Sequence, residues 1–144
     1  MQVSTKRHVF KLTIVLKIKF PLYLLIHCYC GGASGVGTAA IQLAKAIHKE
    51  SKVIVTVGSS KKQDYCTQLG SSLAINYKNE NWATACLDYL GKDRVDILID
   101  CIGANYFNDN LKVLGQGGRM IMLGFLGGAV VPDAKLAGIG MHCQ

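Results

Sequence analysis

From Val9 to Phe20 the chain alternates. Phe10, Leu12, Ile14, Leu16, Ile18 and Phe20 fall on one face, and Val9, Lys11, Thr13, Val15, Lys17 and Lys19 on the other. A period of two predicts a half-buried strand. Leu22–Cys30 (LYLLIHCYC) is then almost unbrokenly apolar, which predicts a strand buried on both faces. It stops at Gly31-Gly32-Ala33-Ser34-Gly35-Val36-Gly37. Beyond the glycines, Ala40, Ile41, Leu43, Ala44 and Ile47 recur at helical spacing, with Lys45 and Lys49 off that face. Lys52–Val57 is a second β-branched run. Lys61–Leu69 reads as a helix stopped by Gly70. Leu73–Asn76 reads as a short strand, and Asn81–Leu90 as a helix with Asn81 as its N-cap and Gly91 after its end. Val95–Ile102 predicts a strand, Tyr106–Leu114 a helix, and Arg119–Leu123 a last strand ending at Gly124.

Strands that alternate with helices of this size predict parallel βαβ units. Right-handed crossovers build these into an open α/β, doubly wound sheet of about five strands in the order 3-2-1-4-5. Ligands bind such sheets beyond the C-terminal strand ends, where the order reverses. That rule singles out the loops Gly31–Gly37, Gly58–Lys62, Gly103–Asn105 and Gly124–Gly128.

Composition narrows the class. The chain has 144 residues, one domain's worth, half of them apolar and 17% charged, so it is not a disordered tail. The net charge of +7 sits at the front: residues 1–49 hold seven Lys/Arg and no acid, while nine basic and nine acidic residues cancel from Glu50 onward. Basic residues scattered through an apolar front do not make a nucleic-acid-binding face. The six cysteines include no CxxC pair, and no His lies at finger spacing, so no metal site is predicted and the pattern suits a reducing compartment. Phe20–Ala44 carries no charge and is long enough for a bilayer, but Pro21 and five glycine or serine positions (Gly31, Gly32, Ser34, Gly35, Gly37) interrupt it. The expected location is the cytoplasm, with a mitochondrial one as the alternative.

The chemistry lies in the loops. Gly32–Gly37 has a dinucleotide-type pattern with Ser34 in place of the second glycine, between a strand and a helix. Small residues there let the backbone approach a pyrophosphate, and the free N–H groups of the helix start hold its charge. Gly37 lets the helix lie close on the sheet. An NAD site would place an acid at the end of the second strand, to bind the ribose 2′-hydroxyl. No Asp or Glu occurs between Ser51 and Gln63, where the chain instead reads Gly58-Ser59-Ser60-Lys61-Lys62. Hydroxyls and ammoniums at that place suit a 2′-phosphate, which favours NADP(H).

GGASGVGTAAIQLAKA, VGSSKKQ, AINYK, DILIDCIG and GGRMIMLGFLGG follow one another in this order. Together they resemble the quinone oxidoreductase branch of the medium-chain dehydrogenase/reductases, most closely the p53-inducible quinone reductase type. The likeness runs from Gly31 to Gly128. It implies a Rossmann domain in which Ser34, Gly35, Val36 and Gly37 contact the pyrophosphate. Ser59 or Ser60, with Lys62 and Tyr77, would contact the 2′-phosphate. Cys101, Ile102 and Gly103 would border the adenosine ribose, and Gly124, Phe125 and Leu126 would flank the nicotinamide. The implied activity is zinc-independent hydride transfer from NADPH to a small quinone, with a homodimer in the full-length family form and no membrane or nucleic-acid partner.

The same resemblance divides the chain into a non-family segment over 1–21, an NADP-binding domain over 22–128 and a tail over 129–144. The family's catalytic domain has no counterpart here. The chain is therefore expected to be a truncated cofactor domain that binds NADPH but turns quinones over poorly, and no catalytic residue is assigned. Two other readings remain. One is a nucleotide-binding module without turnover. The other is a short-chain dehydrogenase, whose glycine spacing Gly31, Gly35 and Gly37 also satisfy, although no Tyr-x-x-x-Lys pair exists.

Overall fold

The computed structural model describes residues 25–130. The strand pattern at Val9–Phe20, the division at 1–21 and the tail past residue 130 lie outside the described residues. Within them strands and helices alternate: β1 Ile26–Cys30, α1 Gly35–Ile47, β2 Lys52–Val57, α2 Ser60–Gln68, β3 Leu73–Asn76, α3 Trp82–Leu90, β4 Val95–Asp100, α4 Ala104–Val113 and β5 Leu114–Met122. All strand pairs are parallel, and the five-stranded order is β3-β2-β1-β4-β5, as the pattern predicts.

Alternation along the strands builds two cores. Tyr29, Val53, Val55 and Val57 face Ile41 and Ala44 of α1 and Cys66 of α2. Ile26, Cys28, Ile54, Ile75 and Leu98 face Trp82, Ala83, Cys86 and Leu90 of α3 and Val113 of α4. A fully buried Ile such as Ile41 or Ile54 contributes roughly 1.5–3 kcal/mol through the area it removes from water. Every residue of β1 is buried, as befits the central strand.

Among the boundaries that differ from the sequence reading, three shift by two residues or more for a visible reason. β4 ends at Asp100 rather than Ile102, because the Asp100 carboxylate accepts the N–H groups of Ile102 (2.7 Å) and Gly103 (3.1 Å) and so turns the chain. α4 starts at Ala104, just past Gly103 at φ 84°, a left-handed conformation that suits glycine. β5 starts at Leu114 rather than Arg119. Leu114 pairs with Val95 and Arg119 with Ile97, so residues 115–118 form an irregularity in the ladder.

One buried group makes stability depend on pH. His27 is 9% exposed and shares a 3.0 Å hydrogen bond with the Tyr29 hydroxyl. Burial, with Lys45 and His48 nearby, lowers its pKa from 6.5 to about 4. Between those values the unfolded chain binds a proton that the folded one refuses. Stability is therefore fully present above pH 6.5 and falls as the pH drops toward 4. The expected loss across that window is about 3 kcal/mol at most. Urea melts at pH 7 and pH 4.5 check this: His27→Gln should flatten the difference, and an equal slope in the variant would assign the acid sensitivity elsewhere.

Candidate cofactor site

The glycine loop leaves β1 at its C-terminal end. Gly31 has φ 84°. A Cβ on Gly32 would lie 2.8 Å from Val55 Cγ2, and one on Gly37 would lie 2.6 Å from both the Cα and the carbonyl oxygen of Gly32. These two glycines are required by the protein's own packing. Gly35 differs, because a Cβ there meets nothing within 4 Å. Ser34 is the N-cap of α1, and its hydroxyl accepts the Gly37 N–H at 3.0 Å. Gly37 is thus buried with its N–H already taken. The N–H groups of Gly35 and Val36, first in the helix, have no intrahelical acceptor. Ser34, Gly35 and Val36 are exposed, and the first turn of α1 contains no acid. Such a helix start attracts an anion.

The loop after β2 forms a second polar group. Ser59 caps α2 and accepts the Lys62 N–H. Ser60, Lys61 and Lys62 are exposed, neither lysine is in an ion pair among the described residues, and the first turn of α2 has no acid. Tyr77 follows β3, anchored by its N–H to the Val57 carbonyl at 3.1 Å. A Cβ on Gly58 would stand 2.7 Å from the Tyr77 hydroxyl, so the phenol lies directly over Gly58. The fold therefore brings Tyr77 to the Ser59–Lys62 turn.

The loops after β4 and β5 are laced together. Leu126 N–H bonds the Cys101 carbonyl (3.2 Å), Gly127 N–H the Ile102 carbonyl (2.6 Å) and Ala104 N–H the Gly128 carbonyl (2.8 Å). A Cβ on Gly103 would meet the Gly128 oxygen at 2.6 Å and Phe125 Cδ1 at 3.0 Å. Gly103 is buried, Cys101, Ile102 and Gly124 are half-buried, and Phe125 and Leu126 are 54% and 85% exposed. Burial, and then the Asp100 carboxylate, raise the Cys101 thiol above its ordinary pKa, which keeps it a neutral thiol.

The sequence reading missed Asp100 and Asn110. Both are fully buried, and the Asn110 side-chain amide donates to the Asp100 carboxylate at 2.8 Å. With Ile102 and Gly103, this carboxylate accepts three hydrogen bonds and sets the Cys101–Gly103 turn. The available signal was a carboxylate ending an apolar strand and an asparagine inside a helix.

In the observed strand order, β2 and β5 are three strand spacings apart, roughly 14 Å. A ligand that touches both the Ser59–Lys62 turn and the Gly124–Leu126 loop must be long, and its middle must cross the exposed start of α1.

A family model described as zinc-binding dehydrogenase matches residues 35–142. The chain belongs to that family. Mouse quinone oxidoreductase-like protein 2 is 33% identical over 106 residues, which cover 72% of this chain and 30% of that protein. The chloroplastic NADPH-dependent alkenal/one oxidoreductase of Arabidopsis thaliana is 39% identical over 101 residues, 70% of this chain and 23% of that protein. Among solved structures, Escherichia coli quinone oxidoreductase complexed with NADPH superposes with a TM-score of 0.73 at 26% identity, covering 90% of this chain and 39% of that one. The chain thus spans under a third of the length of these curated relatives. The resemblance to quinone oxidoreductases of the medium-chain type is borne out, and the short-chain alternative falls with it. Despite the family's description, no group of three or more His, Cys, Asp or Glu among the described residues could hold a metal ion. The described residues do not fit a zinc site.

Proposed function

We propose that this chain is the NADP(H)-binding domain of an oxidoreductase that reduces small quinones in the cytoplasm. The end of β2 carries the reading: Ser59, Ser60 and Lys62, with Tyr77 over Gly58, occupy the position where an NAD site needs a carboxylate. The NADPH named for the Escherichia coli and Arabidopsis thaliana relatives supports it. Five free cysteines among the described residues suit a reducing compartment.

In this reading the Gly35 and Val36 N–H groups hold the pyrophosphate. The Ser59 and Ser60 hydroxyls, the Lys62 ammonium and the Tyr77 phenol hold the 2′-phosphate. Cys101, Ile102 and Gly103 border the adenosine ribose. Phe125 and Leu126, on the Gly124 turn, cover an apolar ring face and exclude water from it. When bound, the reduced nicotinamide supplies a hydride to the quinone. The chain's own part is to bind and orient.

Calorimetry on the full chain tests this with NADPH and NADH as ligands. NADPH should bind about tenfold more tightly, as charged hydrogen bonds partly open to solvent allow. Lys62→Glu should abolish the difference, and equal affinities in the unmodified chain would overturn the assignment. The Arabidopsis thaliana relative favours one second reading, an unsaturated carbonyl as hydride acceptor. NADPH oxidation with a naphthoquinone and with an enone, measured side by side, separates the two acceptors.

A further inference from the structure

Asn110 sits in the last turn of α4 and is fully buried, yet its side chain bonds outside its own helix at both ends. Its amide nitrogen donates to Asp100 Oδ2, at the end of β4, at 2.8 Å. Its Oδ1 accepts the thiol of Cys30, the last residue of β1, with Sγ 3.9 Å away. One side chain thus spans the ends of β1 and β4, which are neighbours in the sheet. Between these two strands the strand order reverses, which is where such sheets bind ligands. Burial of an amide is costly unless its polar atoms find partners, and here both partners stand at that point.

The Asp100 carboxylate is in turn fully committed. Oδ1 accepts the Ile102 N–H at 2.7 Å, and Oδ2 accepts the Gly103 N–H at 3.1 Å besides the Asn110 amide. No side chain caps α4 at Gly103, so this carboxylate fixes the amides that lead into the helix. The turn it shapes lies backbone on backbone against the loop after β5. The Ile102 and Cys101 carbonyls accept the N–H groups of Gly127 and Leu126 at 2.6 and 3.2 Å. A Cβ on Gly124 would stand 3.2 Å from the Cys101 oxygen, and one on Gly103 would stand 3.1 Å from Phe125 Cα. Where two loops meet through main-chain bonds at such range, a shift of one carries the other. The Ser59–Lys62 turn is held separately, with the N–H groups of Lys62 and Gln63 both returning to Ser59.

We propose that Asn110 is a positioning residue for the nicotinamide half of the site: it holds the Asp100 carboxylate, which holds the Cys101–Gly103 turn, which holds the Phe125–Leu126 loop. Asn110 in this role need not touch the ligand. The placing of the nicotinamide at that loop rests on the function proposed above, whereas the chain of bonds from Asn110 to Gly127 does not.

The test uses the full 144-residue chain with Asn110→Leu, which keeps the volume and removes both polar ends. Asn110→Ser, too short to reach Asp100, gives the same comparison if Asn110→Leu does not fold. Amide exchange, read by NMR without ligand, should quicken about fivefold at Gly127, as the loss of one buried hydrogen bond implies. At Tyr77, whose N–H bonds the Val57 carbonyl on the β2–β3 side of the sheet, exchange should stay as in the parent. Calorimetry then compares NADPH with adenosine 2′,5′-bisphosphate, which carries the 2′-phosphate but no nicotinamide. NADPH affinity should fall about threefold more than that of the bisphosphate, within what one hydrogen bond supplies. Unchanged exchange at Gly127 would overturn the proposal. Equal quickening at Gly127 and Tyr77 would overturn it too, because Asn110 would then serve only the stability of the whole domain. So would equal losses for the two ligands, because the effect would end at the turn. A parent chain that fails to bind NADPH would defeat the cofactor reading and leave the exchange result to decide the positioning role.

Discussion

Gly37→Ala is expected to be among the most damaging single substitutions in the domain. One methyl at this position would stand 2.6 Å from the Cα and the carbonyl oxygen of Gly32, in addition to the Gly31 carbonyl oxygen. These are backbone atoms in a loop whose own amides are bonded to Thr56, so no side chain can swing away to relieve the contact. Either α1 lifts from the sheet or the loop leaves β1. Lifting α1 exposes Ile41 and Ala44, which are buried against Tyr29 and the β2 valines. Overpacking of a close core contact costs about 1–3 kcal/mol, and the rigidity of the obstacle places this case at the upper end. Anion binding should be lost with it, since the Gly35 and Val36 amides move with the helix. A urea midpoint and an NADPH affinity both equal to the parent's would show that the helix start does not depend on this contact.

Asp100→Ala is expected to be of similar size for an unrelated reason. The carboxylate is fully buried and accepts bonds from Ile102 N–H, Gly103 N–H and the Asn110 side chain at 2.7, 3.1 and 2.8 Å. Removal of the acceptor leaves three donors without their partner, two of them buried and one part-buried. An unsatisfied buried donor costs about 1–3 kcal/mol, so the sum should be at least about 3 kcal/mol even after some relaxation. The loss should appear as a lower urea midpoint with an unchanged slope, because the exposed area on unfolding is the same. Asp100→Asn keeps the shape but turns one acceptor into a donor toward groups that already donate, and it should fall between the parent and Asp100→Ala. A midpoint for Asp100→Ala equal to the parent's would mean that the Cys101–Gly103 turn holds its shape without the carboxylate.

Much of the fold was legible because each strand but the last announces itself. Lys52–Val57 and Leu73–Asn76 are strands at the boundaries their apolar patterns predict, and Asn81 caps α3 as its position before Trp82 suggests. The first half of β5 was hidden. Its Gly115, Gly117 and Gly118 have no strand pattern: Cβ atoms on Gly115 and Gly118 would run into Arg94 Cβ at 2.9 Å and the Val95 carbonyl oxygen at 2.8 Å, while Gly117 has open space but a φ of 78°. Arg119–Leu123 alone carried the signal.

The site divides in the same way. Ser34 and Ser59 could be singled out because loop ends after buried strands are where this topology puts ligands, whereas Tyr77 entered only through the family resemblance. Asp100, Asn110 and Thr56 were not legible, because each owes its role to partners on another element. Asp100 and Asn110 are ten residues apart, and Thr56 meets Gly31 across 25 residues. No periodicity or spacing encodes such pairs.

The three glycines around the start of α1 are constrained in different ways. Gly32 and Gly37 are crowded by the protein itself, and a side chain at either would harm the folded state whether or not a ligand ever arrives. Gly35 has open space around it at the first position of α1, where a side chain would meet nothing. On the proposed function, a ligand in the crevice would give that position a reason to stay bare. In a lineage that kept the domain as a scaffold but abandoned its ligand, Gly35 would drift first and its two neighbours would persist. The identity of one residue would then serve as a record of whether the crevice is still in use.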